Sequence, residues 1–319
     1  MTELIGHDDA WREWHSALSS ARMHHAWILT GLKGLGKAQF ARAAAAQLVA
    51  EPGARQPPVE MHPDILVPEH PPENKEEVKK REDGQPYRRK RSIPIDEIRL
   101  LRKRLETRPT LGRRRVVIID PADELERSAA NALLKSLEEP PEGTFFLLVT
   151  HRLGRLLPTL RSRCRVLRFA PLADRQIEAI LRESAPASDP ATRAAAVAAA
   201  EGSPGAALEF VAQDLGKLHL LMQRLIAEGD EHFALRGALA EEIGARPDRE
   251  RQQATLDLAR AVVAAELGRL PARDRRVIEA HGHLVRLGAQ LPTYNFDPGL
   301  VAMELGALLA TLAMPRETA

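Results

Sequence analysis

The residues best suited to chemistry lie between Gly31 and Ala38, where Gly31-Leu32-Lys33-Gly34-Leu35-Gly36-Lys37-Ala38 fills a G-x-x-x-x-G-K frame. Gly31, Gly34 and Gly36 would let backbone N–H groups converge on phosphate oxygens. A following helix would add positive potential from its N-terminus, and Lys37 would neutralise the terminal phosphates. One part of that device is missing. Where a Ser or Thr hydroxyl would hold a magnesium ion the chain has Ala38. The loop therefore predicts phosphate binding, with ATP and ADP as candidate ligands and no cofactor fixed by the residues, in a degenerate form poorly equipped for metal-assisted hydrolysis. Asp120 and Thr150, each closing a short apolar run, are the polar residues expected to join it.

These side chains need a scaffold. Val116 to Ile119 and Phe145 to Val149 are too short for helices and lack polar alternation, as strands buried on both faces of a parallel sheet do. Between them Ser128 is a candidate N-cap, Ala132, Leu133 and Leu137 form an apolar stripe, and Pro140-Pro141 forbid continuation. This predicts strand, helix, strand with a right-handed crossover. Ala26 to Thr30 reads as a buried strand running straight into the glycine loop, and an Ala-rich helix follows to about Ala50. Open parallel sheets offer ligands the carboxyl ends of their strands, so Asp120 and Thr150 are expected to face one crevice. Further strands are read at Ile65 to Val67 and Val166 to Phe169. Helices are read at Ala10 to Arg22, with Trp11, Trp14 and Leu18 on one face, and at Ile93 to Thr107, with Ile95, Ile98, Leu101 and Leu105 on one face.

Composition excludes several classes. With 319 residues and 44% hydrophobic content the chain can build two or three domains. A single cysteine, Cys164, excludes a disulfide framework and a cysteine-rich zinc site. Cys164 has no histidine base beside it and reads as a small packed residue, while His281 and His283 point to different faces of one helix, so no metal site is expected. The first residues, MTELIGHDDA, carry acids and no apolar core segment, and no apolar run approaches membrane-spanning length, which predicts a soluble cytoplasmic chain. A formal charge of +2 argues against a nucleic-acid coat protein but leaves room for a local basic patch. Residues 71–92, rich in Lys, Arg and Glu with few apolar anchors, read as a mobile charged loop whose basic end is Arg88 to Arg91.

The run Asn131-Ala132-Leu133-Leu134-Lys135-Ser136-Leu137-Glu138-Glu139-Pro140-Pro141, the FFLLVT strand after it, Ser162-Arg163-Cys164, and Met61-His62-Pro63-Asp64 together resemble one known family. It is the clamp-loader branch of the AAA+ ATPases, in the manner of the bacterial delta-prime subunits, and the resemblance covers about the first half of the chain. It implies a RecA-like α/β AAA+ domain with a parallel sheet and P-loop, and a place in the DNA polymerase III complex. In the family a Glu follows the strand-end Asp and orients the attacking water; here Asp120 is followed by Pro121, which has no acceptor. Thr150 matches the position that senses the terminal phosphate, and Ile5-Gly6-His7 the segment beside the adenine. Gly202-Ser203-Pro204-Gly205 resembles the lid segment in which active relatives carry an Arg, and Gly205 cannot do that work. The S-R-C segment supplies an arginine finger to the nucleotide of the next subunit, a role that falls on Arg163; the alternative for Arg161, Arg163 and Arg165 alike, preferred for Arg161 and Arg165, is a surface loop whose arginines pair with carboxylates such as Glu138 or Glu139. Many relatives carry a four-cysteine zinc module before His62-Pro63-Asp64, and this chain has no cysteine there.

The expected organisation is a nucleotide-binding-like domain over 1–170, a helical lid over 171–212 and an all-helical collar over 213–319. Collar helices are read at Lys217 to Ala227, Phe233 to Ile243, Arg249 to Leu270, Arg275 to Leu291 and Gly299 to Ala313, and the lid at Ala173 to Glu183 and Ala191 to Val211. The resemblance implies a non-hydrolysing ring member in a hetero-pentamer with the motor subunits gamma or tau and the delta subunit. Through the complex it would meet the sliding clamp and primed DNA, nucleoid-associated by way of the replisome. Two alternatives stay open: a self-sufficient AAA+ ATPase using Lys37 and Asp120, and a DNA-binding module acting through Arg88 to Arg104.

Overall fold

The computed structural model describes residues 5–313 apart from 21, 54, 267–274 and 292–295. The chain forms two compact units, Met1–Pro171 and Leu172–Ala319. In the first, α1 (Asp8–Leu18), β1 (Ala26–Thr30), α2 (Lys37–Val49), β2 (Ile65–Leu66), α3 (Lys75–Glu82), α4 (Ile95–Leu105), β3 (Arg115–Ile119), α5 (Arg127–Glu138), β4 (Thr144–Thr150), α6 (Pro158–Arg161) and β5 (Arg165–Arg168) follow in order. All strand pairs are parallel, in the order β2-β3-β4-β1-β5.

The missing polar alternation has a direct cause. Along β1, β3 and β4 successive side chains enter two different cores. Trp27, Leu29, Val116, Ile118, Leu147 and Val149 pack on one face with Trp14 of α1 and Phe40 and Leu48 of α2. Ala26, Ile28, Val117, Ile119, Phe146 and Leu148 pack on the other with Ile98 and Leu101 of α4 and Leu133 and Leu137 of α5. With helices on both faces neither set of side chains meets water, so both are apolar. The two core indoles keep their N–H groups satisfied: Trp14 donates to Gln47 Oε1 at 3.0 Å and Trp27 to the His24 carbonyl at 2.8 Å.

Several expectations need correction. The first helix starts at Asp8 and stops at Leu18, where Ser19 Oγ turns back to the His15 carbonyl. Ser128 is not the cap of α5, because Arg127 begins it and Glu126 precedes it with no side-chain cap. The chain is already fixed there from outside the helix: Ile93 bridges Leu125, the Glu126 amide donates to the Ile93 carbonyl at 3.1 Å, and Ser92 Oγ donates to Glu126 Oε1 at 2.9 Å.

Nor are residues 71–92 a structureless loop. They hold α3, capped by Asn74 Oδ1 accepting from the Glu77 amide at 3.0 Å, and a bridge between Pro72 and Arg89 closes the excursion. The anchor is a carboxylate rather than an apolar side chain. Glu77 is 3% exposed and takes Lys80 Nζ at 2.7 Å and the Arg88 amide at 2.7 Å.

The second unit is helical throughout its described residues: α7 (Asp174–Ser184), α8 (Pro190–Ala199), α9 (Pro204–Ala212), α10 (Gly216–Glu228), α11 (Ala234–Ile243), α12 (Arg249–Glu266), α13 (Arg275–Gln290) and α14 (Pro298–Ala310). The stretch from Ala191 to Val211 is two helices, broken where Glu201 and Gly202 take φ of 48° and 83°. The end of the helix read to Leu270 lies outside the described residues. One apolar cluster runs from Leu172 to Leu312. Asp230 fastens the start of α11, accepting from the Leu235 and Arg236 amides at 3.0 Å and pairing with Arg236 Nε at 2.8 Å. Among the described residues no helix is long and apolar enough to cross a membrane.

Asp64 of the His-Pro-Asp run staples the first unit. It is 0% exposed, and its oxygens accept from the Thr110 and Leu111 amides at 2.7 and 2.8 Å and face Arg115 Nη2 at 3.5 Å. Arg115, 4% exposed, also donates to the carbonyls of Arg104, Thr107 and Arg108. Removing one member of such a buried pair strands the other charge. Asp64→Ala is expected to cost about 3–5 kcal/mol in denaturant unfolding, and a loss below about 1 kcal/mol would mean the carbonyls alone carry Arg115.

Candidate functional site

Thr30 ends β1 and the glycine loop begins at once. Gly31 is required by crowding, since a Cβ there would lie 2.6 Å from the Phe169 carbonyl oxygen just past β5. Gly36 stands at the N-cap of α2 with φ 79°, a left-handed position that costs glycine least. Leu35 between them is fully buried and pins the loop to the core. His7 Nε2 donates to the Leu35 carbonyl at 2.8 Å and its ring meets Phe169 edge-on at 4.9 Å, so His7 is fixed to the glycine loop.

Lys37, the first residue of α2, is 2% exposed. Its ammonium donates to the carbonyls of Gly31 at 2.9 Å and Leu32 at 2.5 Å. Burial pulls its pKa down to about 8, against the opposing pull of Asp120 and Asp123. In this state the lysine closes the loop on itself, and a phosphate entering would take the ammonium from those carbonyls.

The other two predicted crevice residues come together as well. Asp120 follows β3 directly; burial raises its carboxyl above the usual range, opposed by Arg42, His151 and Lys37. Thr150 ends β4, fully buried, and its hydroxyl donates to Asp123 Oδ1 at 2.9 Å. The same oxygen accepts from the His151 amide at 3.0 Å. Asp123 is the residue that the sequence reading did not bring to the crevice. It sits on the 3-10 turn Ala122–Glu124, which folds back beside β4 because β3 and β4 are neighbours. His151 was missed too: its Nδ1 is buried without a hydrogen-bond partner, and burial first, then Lys37, holds its pKa below the ordinary value. Nothing in a lone His after Thr150 signalled this. The side chains of Ala38 and Pro121 offer no oxygen or nitrogen to a metal or a water. Gly205, in the first turn of α9, has no side chain to reach a phosphate.

Arg163 lies elsewhere in the first unit. Trp27 of β1 pairs with Arg165 of β5 and Thr30 with Arg168, so Arg163 precedes β5 at the amino edge of the sheet while the loop at Gly31 leaves from the carboxyl edge. At roughly 3.3 Å per residue the six-residue offset is about 20 Å, beyond the reach of one side chain. Arg163 is 35% exposed; its Nη2 meets Glu138 Oε1 at 2.5 Å, and its Nη1 donates to the Thr159 carbonyl at 3.0 Å and Ser162 Oγ at 3.2 Å. The carboxylate pairing that stood as the alternative for Arg163 is therefore present, with Glu138 as its partner. Arg165 pairs instead with Glu13 at 2.9 Å and lies over the Trp27 ring at 4.9 Å. Burial pushes the Cys164 thiol up to about 12, leaving it protonated and unreactive.

Comparison with known proteins gives the same direction. The family described as DNA polymerase III, delta subunit, matches residues 6–173. The DNA polymerase III subunit delta' of Pseudomonas aeruginosa is 36% identical over 47% of this chain and 46% of its own length. That of Escherichia coli is 32% identical over 62% of this chain and 58% of its own. The Escherichia coli DNA polymerase III subunit tau is 31% identical over 66% of this chain and 32% of its own. The chain thus spans about half the length of the delta' relatives it matches. With a match across more than half of its residues, carrying the phosphate loop, the strand-end Asp120 and Thr150 and the Arg163 segment, this chain belongs to the DNA polymerase III delta-subunit family.

Proposed function

We propose that this chain is a delta-prime-type member of the DNA polymerase III clamp loader, a ring subunit that does not cleave ATP and presents Arg163 to the nucleotide of a neighbouring motor subunit. Its partners are the gamma or tau subunits and the delta subunit, and the complex uses ATP to open a sliding clamp and set it on primed DNA. Residues 171–212 serve as the lid and 213–319 as the collar through which the ring assembles.

The observation that carries this reading is the strand register. An arginine whose backbone lies about 20 Å along the strands from its own phosphate loop, with a side chain half-exposed at the opposite edge of the sheet, is out of place for a nucleotide held by the same chain and available to one held by another. The residues at the loop agree. Lys37 and the glycine backbone suit phosphate, whereas Ala38, Pro121 and Gly205 occupy the positions where cleavage needs a hydroxyl, a carboxylate and a guanidinium.

A second reading, direct contact with nucleic acid, has its own support. Between Arg88 and Arg104 eight Lys or Arg stand against two Asp or Glu, while the whole chain carries only +2. Arg88, Arg89, Lys90 and Arg91 are exposed. This contact would add to the ring role rather than replace it.

In a ring whose only intact motor site faces this chain, Arg163→Ala is expected to lower turnover by ~10³-fold with assembly unchanged; an unchanged rate removes the finger. The lone chain with magnesium and primed DNA should show no turnover, and activity abolished by Lys37→Ala would make it an ATPase in its own right. Binding of a fluorescent ATP analogue to the lone chain should be flat below pH 8. Above it, Lys37 must take up a proton before it can hold an anion, so affinity should fall by up to about ten-fold per pH unit. Affinity that stays level to pH 10 would take Lys37 out of the site. Duplex DNA binding, if made through Arg88 to Arg91, should lose about one unit of salt slope for each phosphate-contacting residue neutralised.

A further inference from the structure

Glu138 closes α5, with Glu139 after it. Carboxylates at a helix C-terminus sit in the negative potential of its free carbonyls and are unfavourable there unless a cation answers them. The cation is Arg163, 2.5 Å away. The same guanidinium reaches back one turn, through Nη1, to the Thr159 carbonyl of α6 and to Ser162 Oγ. Three contacts from two directions fix a side chain that would otherwise sample many rotamers. A guanidinium has five N–H donors, so donors remain for a further partner while Glu138 stays bound, and the 35% exposure of the side chain leaves it within a neighbour's reach. The chain direction accounts for the meeting. The crossover from β3 to β4 carries α5 back to the amino edge of the sheet, the edge from which β5 departs just after Arg163.

We propose that Glu138 is a positioning residue for Arg163, holding the guanidinium in the orientation in which it meets the neighbouring subunit's nucleotide. The proposal rests on the trans role given to Arg163 above. Ordering a long side chain at an interface has a cost, and Glu138 removes most of it before the subunits meet. A half-exposed pair of this kind contributes little to the stability of the fold itself, so its loss should appear in turnover rather than in unfolding.

The test is the ring with motor subunits, carrying this chain as wild type, Arg163→Ala, Glu138→Ala, Glu138→Gln, or Glu138→Ala with Arg163→Ala. Glu138→Ala is expected to lower kcat about three- to ten-fold with KM for ATP and the melting temperature unchanged. Glu138→Gln keeps an oxygen acceptor in the same place and should restore most of the rate. The double variant should match Arg163→Ala. Wild-type kcat in Glu138→Ala, or a further loss when it is added to Arg163→Ala, overturns the proposal and leaves the finger standing. Full rate in Arg163→Ala ends the finger and the proposal together. Should Glu138→Ala fail to enter the ring, modification of Arg163 by phenylglyoxal in the lone chain replaces turnover. It is expected to run at least about twofold faster than in wild type once the pair is gone, and equal rates overturn the proposal.

Discussion

Five strands running in one direction set the conditions for everything else in the first unit. A parallel sheet buries both faces, which demands helices on each side, and it sends every strand's carboxyl end to one edge. The glycine loop, Asp120 and Thr150 therefore share a crevice although 119 positions separate Gly31 from Thr150. The same rule sends what precedes a strand to the far edge. Arg163 precedes β5 and Glu138 ends the helix that returns before β4, so the two meet away from the loop. One topological fact divides the unit into an edge that gathers the glycine loop, Asp120 and Thr150 and an edge that carries the pair of Arg163 and Glu138.

Charge inside this unit is tolerated only where several polar groups receive it. Asp64 is held by two amides and Arg115, and Arg115 in turn by three carbonyls. Glu77 is held by an amide and an ammonium. Lys37 differs, because its ammonium rests on two carbonyls of its own loop with carboxylates acting only at longer range, and its pKa falls accordingly. A buried cation without an ionic partner is poised to accept an anion. Beside it the side chains of Ala38 and Pro121 supply no hydroxyl or carboxylate, while the carboxylates of Asp120 and Asp123 act on the ammonium from across the crevice.

Much of this was legible in the residues. Apolar runs without alternation gave β1, β3 and β4 within a residue, since burial on both faces leaves an unambiguous pattern, and the short β2 and the edge strand β5, exposed at Arg165 and Arg168, were placed as closely. The glycine spacing located the loop because close approach to Phe169 and a left-handed N-cap leave little choice of residue. What escaped were contacts made across elements. Ser128 looked like a cap by its type, but the bridge from Ile93 to Leu125 fixed the cap two residues earlier, at Glu126. The 71–92 segment looked unanchored because its anchor is a carboxylate, which composition counts as solvent-loving. Asp123 and His151 reach the crevice through strand adjacency, and no local pattern announces a neighbour 27 residues away.

The account joins these features into one arrangement: a family member whose own loop can close over its lysine while its opposite edge presents an oriented arginine outward. The most direct measurement is a structure of the assembled ring with a non-hydrolysable ATP analogue in the adjoining motor subunit. The account predicts Arg163 within hydrogen-bonding distance of that nucleotide's terminal phosphate, still in contact with Glu138. A ring in which Arg163 faces no nucleotide, with another residue against that phosphate, would contradict it.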